Sequence, residues 1–242
     1  MVQDLALEIK QNQFNAAMDL YEKMNVYKLI GKTVSLANVS LQLYLVYLVL
    51  PLSIGWPLQL FSLFIAYVAA DFLNGLVHMY MDNNGSYVSP AGPLIAAFHL
   101  HHMTPLYKKK NILLVYFDES GAKNWLVGYL LIAVFLVKTA SIPPLIAFIT
   151  VYVGILSSVA EVSHYSCHVM DAGITRYLRN AGLFLSKKHH ASHHLEDNIS
   201  YAFLNGLTDP LLNVIARMFF PGYKNTTDRH YAAYTGSGTA NR

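Results

Sequence analysis

Ten of the 11 histidines in this 242-residue chain fall into four places: His78; His99, His101 and His102; His164 and His168; and His189, His190, His193 and His194. Only His230 stands apart. Imidazole is a proton acceptor near neutrality and the commonest metal ligand in proteins. The spacing favours metal. His78 and Asp82 are four residues apart, as are His164 and His168, and His190 lies three and four before His193 and His194. Residues three or four apart share a helical face, so each set aims several ligand atoms from one rigid helix towards one point. Imidazole with carboxylate suits Fe, Zn, Cu or Ni. The one cysteine, Cys167, leaves no thiolate site and no internal disulfide, and reads as a buried, inert thiol.

Nine candidates result: His78, Asp82, His101, His102, His164, His168, His190, His193 and His194. One zinc site uses about four ligands, so two ions sharing the set is the economical reading. Each piece alone has a bland account, as an interfacial histidine or a basic tract; four groups converging at the ends of apolar helices do not. Two acids within apolar segments also stand out, because a charge at depth is costly. Asp71 lies seven before His78 and Glu161 three before His164. Both can orient ligand imidazoles by accepting the other ring N–H. A capping or helix–helix hydrogen bond is the alternative for Asp71, and direct ligation for Glu161.

The elements that must carry these residues are membrane helices. Apolar residues make up 54% of the chain and charged residues 13%, outside ordinary soluble composition, and 17 tyrosines suit a membrane interface. The net charge of +3 is scattered between apolar runs, which excludes a nucleic-acid module. No signal-peptide pattern is present at the N-terminus. Residues 1–32, with Phe14, Met18 and Tyr21 at helical spacing, read as an amphipathic interfacial segment. Apolar runs follow at 34–50 and 57–81, then a polar stretch at 83–123, then shorter runs at 124–137 and 144–158 that form either two spans or a re-entrant hairpin. An amphipathic run lies at 211–220, and 226–242 is a loose tail. The sequence thus predicts an all-α integral membrane protein of about four transmembrane helices in two hairpins, a membrane domain over 33–225, with a histidine-rich cap and interfacial helices. Of the 17 Lys and Arg, only Lys138 falls in the two far-side turns, so the positive-inside rule makes the cap and both termini cytoplasmic, in a bacterial inner membrane or the endoplasmic reticulum.

The motifs DFLNGLVH at 71–78 with Asp82, FHLHHMTP at 98–105, His164 with His168, and KHHASHH at 188–194 with Tyr201 resemble the Kua/CarF-type lipid desaturases, which include plasmanylethanolamine desaturases. The resemblance covers about residues 65–215. It implies a di-iron site with the nine candidates at ligand-like positions and His189 as a further motif member. It also implies O2 as co-substrate, a membrane phospholipid as substrate, and an external electron donor of cytochrome b5 or ferredoxin type, since no GxGxxG fingerprint for a flavin or nicotinamide is present. Lys108, Lys109 and Lys110 offer such an acidic carrier a docking patch, although a solvated loop or contact with anionic lipid accounts for them as simply. Three positions depart from the family pattern: His99 where it has Arg, Thr104 where it has Asp, and Asn198 near a further His.

The function expected is desaturation of a phospholipid-linked alkyl or acyl chain, including formation of the plasmalogen vinyl ether. A di-iron hydroxylase is the nearest alternative. A zinc hydrolase needs fewer ligands, and a membrane metal transporter needs ligands near the bilayer midplane.

Overall fold

The computed structural model describes residues 2–103, 110–139, 142–169, 173–196 and 198–220. Thr104, Lys108, Lys109, Ser141 and the tail with His230 lie outside the described residues. Among the described residues the regular elements are helical: α1 (Val2–Lys23), α2 (Asn25–Val49), α3 (Gly55–Asp82), α4 (Gly92–Met103), α5 (Ile112–Glu119), a 3-10 turn at Ser120–Ala122, α6 (Asn124–Thr139), α7 (Pro144–His168), α8 (Ile174–Asn180), α9 (Lys187–Leu195) and α10 (Asp209–Phe219). Helices α2, α3 and α7 are long and apolar enough to cross a membrane. At ~1.5 Å per residue even a 25-residue helix exceeds the ~30 Å hydrocarbon core. Residues 112–122 and α6 meet the same test only as a pair bent by 93°. The chain is an integral membrane protein.

Two boundaries differ from the hydropathy reading. The first interfacial segment ends at Met24, which is extended (φ −100, ψ 108), and α2 begins at Asn25; the apolar run starts later because Lys28 and Lys32 sit in the first turns of the helix. Helix α7 continues past Ser158 to His168. Its last turns look polar because they bond inside the protein: Ser157 Oγ accepts from Asn74 at 3.1 Å, Ser158 Oγ accepts from Gln42 at 2.9 Å, and Glu161 pairs with Lys123 at 2.8 Å.

Packing crosses the sequence order. Helix α2 lies along α6 and α3 along α7. Tyr152 O–H donates to Gln59 at 2.8 Å near one end of the α3/α7 pair, and Asn74 bonds Ser157 further along. The two helices therefore run the same way, and their last turns end side by side. One core cluster joins α2, α6 and α7 through Leu45, Leu130 and Phe148; a second, under the histidines, gathers Ala70, Val115, Ala160, Phe203 and Leu204. Close approach needs small residues: a Cβ on Gly154 would lie 2.6 Å from Leu130 Cδ2.

The amphipathic helices flank this bundle. Phe14, Ala17 and Met18 of α1 are buried against Tyr87, Ile95 and Ala96, so the stripe seen in the sequence faces protein. Leu5, Ile9 and Leu20 are exposed instead. Helix α10 buries Leu212 and Ala216 against Met79, Tyr201 and Ala202, leaving Leu211, Val214, Met218 and Phe219 exposed. Such outward apolar faces suit helices lying in the interface.

Candidate metal centre

The histidines sit on the last turns of α3, α4 and α7 and along α9. Three helix C-termini, each with outward carbonyls and the negative end of the macrodipole, thus point at one place and favour a cation there. The donors form three overlapping groups: His164, His168, His190 and His194; His78, Asp82, His102 and His193; and His101, His102 and His194. All nine ligand candidates are brought together.

The spacings fit ions rather than hydrogen bonds. Nε2 of His190 lies 2.8 Å from Nε2 of His168 and 2.9 Å from Nε2 of His194, and His168 Nε2 lies 3.3 Å from His164 Nε2. Two ligands at ~2.0–2.1 Å from one metal and at right angles to each other stand about 2.9 Å apart. In the second group, Asp82 Oδ2 lies 3.1 Å from His78 Nε2 and 3.3 Å from His193 Nε2, while Oδ1 lies 3.2 Å from His102 Nε2.

Tautomers decide what these contacts are. His78 Nδ1 meets the carbonyl of Tyr201 at 2.8 Å, His193 Nδ1 that of Ile199 at 2.8 Å, and His101 Nδ1 that of Phe98 at 2.5 Å. A carbonyl only accepts, so Nδ1 carries the proton and the neutral ring presents a bare Nε2 lone pair. The Nε2 atoms of His78, His101 and His193, with Asp82 Oδ2, are buried without a hydrogen-bond partner. Lone pairs converging on a carboxylate oxygen repel unless a cation lies among them, so these residues fit a metal. Burial and neighbouring imidazoles hold His101, His190 and His194 below the ordinary histidine range, which keeps their lone pairs available.

A turn supplies two of the three carbonyls. Asn198 (φ 55) and Ser200 (φ 58) both adopt the left-handed region, which costs about 1–3 kcal/mol each. Side chains hold them there: Asn198 Oδ1 accepts from the Tyr201 hydroxyl at 2.6 Å and from Asn83 at 3.2 Å, and the Ser200 N–H donates to Asn213 Oδ1 at 2.9 Å. Asn198, one of the three positions that depart from the pattern the resemblance implies, thereby fixes the turn that orients His78 and His193.

Asp71 does not orient His78. Its Oδ1 accepts the N–H groups of Leu204, Asn205 and Gly206, and its Oδ2 accepts the N–H and hydroxyl of Thr208. Seven residues are two turns, so it shares the face of His78 but lies about 10 Å down the helix, where the 204–208 turn crosses. His189 stands outside the three groups: its Nε2 donates to Asp209 Oδ2 at 2.5 Å, which holds its pKa above the ordinary range. The second acid lies beside a ligand candidate, since Glu161 Oε2 is 3.7 Å from His164 Nδ1.

Two side chains near the centre, Lys123 and Phe203, were not singled out by the sequence, and a third, His99, was named there without a role. Lys123 is buried, pairs with Glu161 Oε1 and donates to Asn74 Oδ1; a lysine heading an apolar run reads as an interfacial charge, and its partner is distant in sequence. Phe203 stacks on His164, ring centroids 4.2 Å apart and planes at 9°. His99 donates from Nε2 to the Met81 carbonyl at 2.8 Å and accepts at Nδ1 from the Tyr87 hydroxyl at 2.7 Å, tying α4 to the end of α3. Of the three-lysine patch, Lys110 is described, and its charge is paired with Asp118 at 2.9 Å.

A family model, the lipid desaturase domain, matches residues 67–221. That span includes every donor of the three groups, and the chain belongs to the lipid desaturase family. Searches of curated proteins and of solved structures gave no match.

Proposed function

We propose that this chain is a di-iron desaturase that removes two hydrogens from adjacent carbons of a phospholipid-linked alkyl or acyl chain. The observation that carries the reading is the donor set: eight imidazoles and one carboxylate in three overlapping groups, more than one ion uses. His164, His168, His190 and His194 would hold one iron; His78, Asp82, His102 and His193 the other; His101 faces the junction. Bound iron supplies the redox chemistry with O2 that an unactivated C–H bond requires. O2 is reduced to two waters by the two hydrogens of the substrate together with two electrons and two protons from outside. An external carrier of cytochrome b5 or ferredoxin type provides the electrons.

The protein's own part is to hold the donors rigid and the chain in register. Carbonyls of Phe98, Ile199 and Tyr201 fix three imidazoles, and Lys123 with Glu161 steadies His164. The centre lies where helix ends leave the apolar spans, which favours reaction near the polar end of a chain and includes vinyl-ether formation from a plasmanyl lipid. The excess of Lys and Arg at this end supports a cytoplasmic orientation.

The test is anaerobic reconstitution with ferrous iron, then turnover with O2, a reduced carrier and defined ether and ester phospholipids, followed by lipid mass spectrometry. Iron-dependent loss of two hydrogens is expected. Gain of one oxygen identifies a hydroxylase instead, and O2-independent turnover with zinc alone overturns the reading.

A further inference from the structure

A cavity of about 280 Å³ opens beside the metal centre. His101 and His164, one donor from each of two different groups, line it together with Phe98 and Phe203. Another part of its wall is Tyr21, Tyr27 and Gly31, from the junction of α1 and α2, and a third part is polar, made by Asp118, Glu119, Asn124 and Glu161. Tyr21, Tyr27 and Gly31 precede the family domain, which begins at residue 67. The two tyrosine rings stack on each other with centroids 6.3 Å apart. The volume falls just under the ~300–1,000 Å³ of small-molecule sites, room for a segment of one chain and not for a whole two-chain lipid. A Cβ built on Gly31 meets nothing within 4 Å, so a larger side chain can be introduced at this part of the wall.

We propose that this cavity seats the reacting segment of one lipid chain, and that Tyr21, Tyr27 and Gly31 are specificity-determining residues supplied from outside the family domain. The inference rests on the desaturase reading and adds to it where the chain lies and which residues choose it. The rest of the lipid stays in the bilayer, so selection acts on the bulk next to the reacting carbons.

The full chain in phosphatidylcholine vesicles, loaded with a phospholipid bearing a diazirine close to the glycerol, is photolysed and its peptides mapped. Crosslinks are expected on residues 21–31 and 94–98. Gly31→Phe fills the open space, and should cut crosslinking and raise KM by about tenfold or more, the discrimination a pocket obtains from one methylene, with iron content unchanged. Gly128, also clear of neighbours within 4 Å but on the exposed side of α6, serves as control, and Gly128→Phe should change neither. Equal crosslinking and KM in Gly31→Phe, or crosslinks confined to lipid-facing peptides, would overturn the proposal. If Gly31→Phe does not accumulate, Tyr27→Ala decides: a shifted preference between competing phospholipids whose chains are linear or methyl-branched close to the glycerol supports it, and an unchanged one refutes it. Crosslinks sensitive to Gly31 in a chain that binds no iron would overturn the di-iron reading alone; iron and turnover with insensitive crosslinks would overturn the chamber alone.

Discussion

Single residues at this centre divide by what their far atoms touch. His168 and His194 each meet His190 through Nε2, so replacing any of the three removes a donor from the candidate metal group itself. His168→Ala, His190→Ala and His194→Ala should each lower turnover by more than the ~10–100-fold typical of outer partners, while the protein still inserts and accumulates. His189→Ala, which breaks only the bond to Asp209, should stay within about tenfold of wild type. Lipid product and bound iron, measured on the four variants side by side, check the contrast. A buried pair behaves differently. Lys123→Met leaves Glu161 buried and uncompensated, a loss of about 3–5 kcal/mol, whereas the double variant Lys123→Met/Glu161→Gln removes both charges and should recover most of that stability. Denaturation in detergent micelles reads the cycle, and equal stabilities of single and double variants would contradict it.

Among elements, the segment from Asn198 to Asp209 acts as a clamp. It offers the Ile199 and Tyr201 carbonyls to two imidazoles, is anchored below by Asp71, and is tied across by Asp209, whose Oδ1 accepts the Ala202 N–H at 2.9 Å. Asp71→Ala removes the acceptor for a hydroxyl and four backbone N–H groups, leaving buried donors unsatisfied at about 1–3 kcal/mol apiece where water cannot reach. The expected outcome is iron affinity weaker by about 10–100-fold in a protein whose membrane insertion is unchanged. Iron titration against a competing chelator measures it.

For the whole molecule, α3 and α7 run in parallel and deliver their last turns to one side, with α4 and α9 closing over them. The turn at 50–54 belongs to the opposite side. In a Cys167→Ser background, a cysteine replacing exposed Lys188 should react with a membrane-impermeant thiol reagent only from the cytoplasmic side, and one replacing exposed Ser53 only from the other. Labelling of both from one side would refute the topology. Chelation should abolish turnover and leave helix content nearly intact, because the apolar helices are held by lipid and by one another; circular dichroism with and without chelator tests this.

The sequence by itself determined the membrane class and the donor types, because hydropathy and three- and four-residue spacing are local properties that survive without a fold. His78 with Asp82, His164 with His168, and His190 with His193 and His194 reveal their shared faces through spacing alone. Helix ends were less legible, since Ser157, Ser158 and Glu161 lower hydropathy where buried partners from other helices satisfy them. Only the tertiary structure decided how the donors divide into groups, which carbonyls lock their tautomers, that Asp71 anchors a turn, and that Lys123 neutralises Glu161. Those are contacts between segments remote along the chain, and periodicity within one helix carries no information about where another helix ends.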